Sequence, residues 1–369
     1  MQKKQKKRVD SATAEGGDTA TAKRSKREKQ SDPFDFRPKD WVVHSRFDKR
    51  VILLRTIKTR RGPPFVVQKT VEIVPDGTPH EMRILDLVPR CNRVVHPLAF
   101  APSEDPSRGV LLFDYYPLGD LAIWKSREFD RKNFKPVPES YIWRFFLQIT
   151  QALAFLFNHL GPRQEERGAL LHRDIKPKNI LVVGNGSSTY PSFKLHDFEC
   201  ACWYQQERGT KKSYVGTFEW QAPENPLINT EDAEIWALGA CVHFLATGER
   251  PIEDTVANRA IQMRKGVRSP DLVEPYSSEG RYCAATVPRR VIPINLNGAD
   301  QAHMGLTDRG IILRQYSDHL NEWMTRCLQQ LPDKRPDIRE LLDDMGSIAL
   351  DMLRHIGGTA ALADMQATF

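Results

Sequence analysis

From Trp41 the apolar positions alternate as they do in strands: Trp41 to Val43, Val51 to Ile57 and, after a Gly62-Pro63-Pro64 turn, Phe65 to Val74. Met82, Leu85 and Val88 then recur at helical spacing behind Glu81, which predicts a helix joined to the third strand by a compact Pro75-Asp76-Gly77 turn. Residues 111–121, L-L-F-D-Y-Y-P-L-G-D-L, read as a strand running into a turn. Glu139 to Leu160 carries apolar and aromatic residues at helical intervals and predicts a buried helix, followed by a polar insertion at 161–169. Leu170-Leu171, Ile180 to Val183 and Phe193 to Leu195 are short strand-like runs, and the Gly/Asn/Ser content of Gly184 to Pro191 predicts a hairpin loop. Ile235 to Ala246 is the longest apolar run; broken by Gly239 and His243, it reads as a buried helix and falls short of the ~18 residues that span a bilayer. Residues 251–315 read as loops around a short helix, 317–329 and 337–356 as helices, and the last dozen residues as a loose tail.

Chemistry concentrates between His172 and Glu224, which holds H-R-D-I-K-P-K-N, then D-F-E, then G-T-F-E-W-Q-A-P-E. Asp174 and Asn179 stand between two strand-like runs, so both side chains are expected on a short loop facing one cavity, and Asp197 follows a third run. One such aspartate would ordinarily be a turn or helix cap. The ordered set is far more specific.

This set resembles the catalytic core of the eukaryotic protein kinase superfamily, in the serine/threonine branch because Lys176 follows Asp174 by two. The resemblance implies an α+β, bilobal fold, with a small antiparallel-sheet lobe carrying one helix and a larger, mostly helical lobe. Its implied bounds are a disordered basic tail at 1–36, a kinase domain at 37–356 (small lobe to about 113, hinge 114–120, large lobe from 121) and a C-terminal tail at 357–369. It also implies ATP and magnesium between the lobes and protein serine or threonine hydroxyls as acceptors. Asp174 would be the base, Lys176 would steady the transferred phosphate, and Asn179 and Asp197 would hold metal. Lys69, in V-V-Q-K-T-V, would grip the phosphates and pair with Glu81. Thr217 would bond near the base. Val51, Val67, Phe113, Asp114 and Tyr116 would surround the adenine, with Asp120 at the ribose. Glu224 and Arg335 would form a buried bidentate pair, and Glu234 would accept backbone hydrogen bonds from the catalytic loop. Thr210 and Ser213 are candidate phosphosites for an upstream kinase, a phosphate there pairing with Arg173.

The chain departs from the family pattern in several places. No glycine lies between Trp41 and Arg61, where the family has a glycine-rich loop whose backbone closes over phosphate. Arg46, Lys49 and Arg50 are either substitute phosphate contacts or solvated strand-edge charges. Glu199 replaces the third residue of D-F-G, where its carboxylate would repel phosphate or join the magnesium shell. Glu234 replaces an aspartate, and only twelve positions separate Lys69 from Glu81. The leading reading is an ATP-dependent protein serine/threonine kinase. The alternatives are a pseudokinase acting as a binding module and a small-molecule phosphotransferase of related fold, the latter opposed by the A-P-E segment and Arg335.

Charge refines this picture. The formal net charge of +7 over 369 residues resides almost wholly in the first 30, which hold ten Lys or Arg against four Asp or Glu. The remainder has no global field that would select nucleic acid. The basic clusters Lys3 to Arg8 and Lys23 to Arg27 are a nuclear import signal, and thus a contact for an import receptor, or a solvated tail. Six scattered cysteines without a histidine cluster predict a reduced, intracellular protein, nuclear or cytoplasmic, with no membrane partner.

Overall fold

The computed structural model describes residues 34–58, 62–73, 77–103, 105–132, 135–186, 188–204, 214–224, 230–267, 276–306 and 313–369. The expected basic tail therefore lies almost entirely outside the described residues, as do Thr210, Ser213 and residues 75 and 76 of the expected turn.

The predicted strands, joined by β4, which was not expected, form one antiparallel sheet in the order β1-β2-β3-β5-β4: β1 (Trp41–Arg46), β2 (Val51–Thr56), β3 (Phe65–Glu72), β4 (Ala99–Pro102) and β5 (Arg108–Asp114). Val51 and Leu111 flank Lys69 in register, and Leu53 and Phe113 flank Val67. Cross-strand partners share a face, and so do residues two apart. Val51, Val67, Lys69 and Phe113 are thereby aligned on one side. Helix α1 (His80–Asp86) packs beside the segment that starts at Phe198, burying Glu81, Ile84 and Leu85.

The larger lobe is built on α3 (Glu139–Leu156), reached from the sheet through α2 (Leu121–Lys125), and on α4 (Glu231–Thr247). Both long helices are buried almost throughout. Thr230 caps the start of α4, its side chain accepting the Ala233 N–H, and Gly248 ends it in a left-handed conformation. Helix α3 is shorter than expected, stopping before Asn158, whose φ is 68°. Two-stranded ladders hold the catalytic stretch: β6 (Leu170–Leu171) with β9 (Cys202–Trp203), and β7 (Ile180–Asn185) with β8 (Ser188–Leu195). Because β7 and β8 run on to Asn185 and from Ser188, the hairpin loop is tighter than Gly184 to Pro191. Among the described residues no helix is long and apolar enough to cross a membrane.

Two expectations are overturned here. Among the described residues, 251–315 contain α5 (Thr255–Arg264) and two further helices, Glu279–Thr286 and Gly298–His303, each started by a side-chain cap from Asp254, Ser278 or Asn297. The expected loose tail is docked, with Ala361 and Met365 buried. Its cause is polar. Arg144 on α3 is fully buried and donates to the Ala361 and Ala363 carbonyls at 2.6 and 2.7 Å, and Gln148 and Gln151 donate to those of Asp364 and Met365 at 2.7 and 2.8 Å. Arg93 reaches the Asp364 carbonyl at 2.6 Å and its carboxylate at 3.0 Å. Undocking the segment would strip partners from these buried groups.

Arg335 and Glu224 also meet, 2.7 Å apart and buried, but through one nitrogen rather than a bidentate fork. That nitrogen also donates to the Asp232 carbonyl, Nε donates to Gln329, and the guanidinium lies over the Trp236 ring. Backbone acceptors have taken the second prong. Removing the guanidinium takes its donor from a buried carboxylate and a bond from each of the carbonyls of Asp232, Gln329 and Gln330, so Arg335→Ala is expected to lower unfolding stability by about 3 to 5 kcal/mol, read by chemical denaturation. A midpoint equal to the wild type's would reject this role.

Candidate active site

The cleft is centred on one buried ammonium. Lys69 Nζ lies 2.8 Å from Glu81 Oε2, 2.6 Å from Asp197 Oδ1 and 3.1 Å from Glu199 Oε1. Burial disfavours its charge, but the three carboxylates outweigh burial and raise its pKa. Asp197 is lowered despite its own burial, because Lys69 outweighs it. The other Glu81 oxygen accepts the Phe198 N–H at 2.9 Å, which fixes the D-F-E segment to α1. Glu81, Asp197 and Glu199 are close enough together to hold a metal ion, but Lys69 already supplies that cluster with a cation. Glu199 thus sits on the lysine, a partner the sequence reading did not assign to it.

The catalytic loop places its predicted side chains together. Lys176 Nζ is 2.7 Å from both Asp174 Oδ2 and Thr217 Oγ1. The Asn179 amide donates to the Asp174 carbonyl at 2.9 Å and to Oδ2 at 3.0 Å, which turns its own oxygen away from these bonds. Asp174 Oδ1 is shielded from solvent and has no hydrogen-bond partner among the described residues. Gly216 closes over it. A Cβ there would stand 2.4 Å from the Arg173 carbonyl and 3.4 Å from Asp174 Oδ1, and φ is +80°, so glycine is required.

At the other end of the cleft, Asp114 closes β5, and Tyr116 lies under the Lys194 ammonium. Asp120 is the N-cap of α2, one oxygen accepting the Ile123 N–H at 2.8 Å. That oxygen is committed to the helix. Sequence reasoning passed over several positioning groups. The fully buried His172 packs edge-on against Phe198 at 4.9 Å, and its Nε2 lies 3.0 Å from the His196 carbonyl oxygen. Burial pushes the His196 imidazole down to about 4. Gln221 donates to the Arg173 and Val215 carbonyls, and Arg173 Nε donates to Cys200. Their partners are backbone carbonyls, which leave no mark in sequence.

Glu234 reaches the catalytic loop with its extra methylene, accepting the Arg173 N–H on Oε1; Oε2 has no hydrogen-bond partner among the described residues. Burial pushes its carboxyl up to about 8, against the lowering effect of backbone donors. A raised carboxyl pKa means that the folded state holds a proton the unfolded chain releases, so this group's contribution is full below about 4.5 and is lost as pH rises through 8. Glu234→Gln abolishes that loss. The variant is expected to match the wild type near pH 4.5 and to gain up to ~4 kcal/mol in relative stability by pH 8, read as denaturation midpoints across that range. Parallel pH profiles would refute this protonation.

Residues 65–345 match the family model described as the protein kinase domain. That span begins at β3 and leaves out β1 and β2, where the glycines are missing. The chain is 25% identical over 235 residues to mitogen-activated protein kinase kinase 2 of Arabidopsis thaliana, covering 63% of this chain and 51% of that protein. It is 28% identical over 244 residues to mitogen-activated protein kinase kinase kinase ANP1 of the same plant, covering 65% and 28%. To the probable serine/threonine-protein kinase nek2 of Dictyostelium discoideum it is 27% identical over 238 residues, covering 64% and 44%. The matched regions span about half or less of these relatives' own lengths. A model match over most of the chain, on a two-lobed fold whose cleft gathers the catalytic-loop residues, establishes that this chain belongs to the protein kinase family.

Proposed function

We propose that the chain is an ATP-dependent protein serine/threonine kinase, which moves the γ-phosphate of ATP onto protein hydroxyls. The observation that carries this reading is the catalytic-loop cluster, in which Lys176 bridges Asp174 and Thr217 while Asn179 braces the same aspartate. Phosphoryl transfer asks for positioning and charge neutralisation more than covalent help. The substrate oxygen bonds to the γ-phosphorus as the bond to the bridging oxygen breaks, and the hydroxyl proton passes to the Asp174 carboxylate. Lys176 lies where it can neutralise the moving phosphoryl group, and Lys69 is held charged for the remaining phosphates.

The donor set fits magnesium. Asn179 and Asp197 offer hard oxygen ligands, and the ion bound there would neutralise charge on the phosphates. Val51, Val67 and Phe113 line the adenine side, with backbone groups near Asp114 and Tyr116 meeting the base edge and Asp120 beside the ribose. Relatives named as kinases of kinases support a protein acceptor and an upstream kinase, for which Thr210 and Ser213 are the proposed sites. The basic clusters before residue 30 are proposed as a nuclear import signal. The kinase unit begins near residue 37 and includes the docked segment through Phe369.

A second reading, a nucleotide- or partner-binding pseudokinase, is favoured by one specific contact, that of Glu199 with Lys69 at 3.1 Å. Labelled γ-phosphate transfer to a mixed serine/threonine peptide library separates the two. The wild type should transfer phosphate with magnesium, and Asp174→Asn should lower the rate by at least ~100-fold, the usual effect of losing a positioned base. Absence of transfer by folded wild type, also after treatment with a cell extract able to phosphorylate Thr210 or Ser213, would favour the binding protein.

A further inference from the structure

The turn between β1 and β2 has its backbone donors already engaged. Asp48 Oδ1 accepts the N–H groups of Arg50 and Val51 at 2.6 and 2.8 Å, while Phe47 and Asp48 donate theirs to the Val51 carbonyl at 2.9 and 3.2 Å. Four N–H groups are thereby turned into the loop itself. A backbone cradle for phosphate is not available from them, and no glycine in the turn relaxes that arrangement. With those four donors closed, the side chains of the turn become the candidate contacts for an anion held from above.

One side chain is placed for it. Among the cations at Arg46, Lys49 and Arg50, Arg50 reaches into the cleft: Nη1 lies 3.4 Å from Glu199 Oε1. The same oxygen is 3.1 Å from Lys69 Nζ, so one carboxylate oxygen joins a roof cation to the lysine at the centre of the cleft. The two departures from the family pattern, the charged turn and D-F-E, therefore meet in space.

Resting on the kinase reading above, the geometry points to Arg50 as a phosphate ligand of the nucleotide site in place of a backbone cradle, with Glu199 as an internal anion that holds Arg50 and Lys69 until a triphosphate displaces it. The chemistry suits the exchange. A guanidinium forms paired, charge-assisted hydrogen bonds to phosphate, stronger than a single contact to a carboxylate. The Arg50 side chain is 61% exposed and its contact with Glu199 is long, so release costs little. Lys69 keeps Glu81 and Asp197 when Glu199 leaves. Because Asp48 rigidifies the turn, Arg50 swings from a fixed base.

The test is calorimetric binding of ATP with magnesium, and separately of adenosine, to the full chain. Arg50→Ala should weaken ATP about tenfold or more, the effect of losing a hydrogen bond to a charged group, with adenosine affinity unchanged. Glu199→Gln should tighten ATP by several-fold, again without effect on adenosine. Equal ATP affinity in Arg50→Ala and wild type, or an equal loss for ATP and adenosine, would overturn the phosphate-ligand role. An unaltered or weaker ATP affinity in Glu199→Gln would overturn the displacement. Wild type that binds neither ligand would defeat the kinase reading and this inference together, whereas ATP binding indifferent to Arg50 defeats the inference alone.

Discussion

A single positive charge, buried where three chain segments converge, organises the cleft. The Lys69 ammonium comes from the sheet, Glu81 from α1 and Asp197 from the segment after β8, and none of the three is comfortable without the others. An isolated carboxylate at the depth of Glu81, 2% exposed, would be strongly destabilising or protonated. The pairing therefore fixes where α1 lies against the sheet, and the Phe198 N–H on the second Glu81 oxygen carries that placement into the large lobe. Glu199 adds a fourth member, and the same electrostatics that assemble the site give it an internal competitor for anions.

The catalytic loop depends on a second kind of constraint, the need of buried backbone for partners. Glu234 takes the Arg173 N–H, and Gln221 takes the Arg173 carbonyl. Arg173 has φ of 65°, a conformation that needs such support from its surroundings. The Arg335 guanidinium, tied to Glu224 and to carbonyls at 232 and 329, locks the end of the same platform to α4 and to the loop after Cys327. The loop that carries Asp174 is thus held through its backbone.

Much of this was legible in the sequence, and what was hidden has a common cause. Lys69 meets Glu81 and Asp197, and Lys176 meets Asp174 and Thr217 with Asn179 beside them; each is a charged or polar side chain within a recognisable motif. The sheet followed from alternation in 41–74. Arg144, Gln148 and Gln151 were not legible as a docking site, since their acceptors are carbonyls of residues more than two hundred positions away. The helices within 251–315 did carry a signal. Asp254, Ser278 and Asn297 are good N-caps, and it was the intervening proline and glycine that obscured them. The contact of Glu199 with Arg50 could not be read at all, because it depends on how a turn 149 positions earlier folds over the cleft.

The docked closing segment changes how the two lobes must be divided mechanically. Asn92 is bonded to Thr368, and Arg93 to Gln151 of α3 and to Asp364, so the loop after α1 is fastened to the large lobe although it precedes β4 in the chain. Val95 and Leu195 extend that seam through backbone bonds. Any opening of the cleft that leaves this loop with the large lobe has to bend the chain at three links: between Val88 and Cys91, between Val95 and Ala99, and after Asp114.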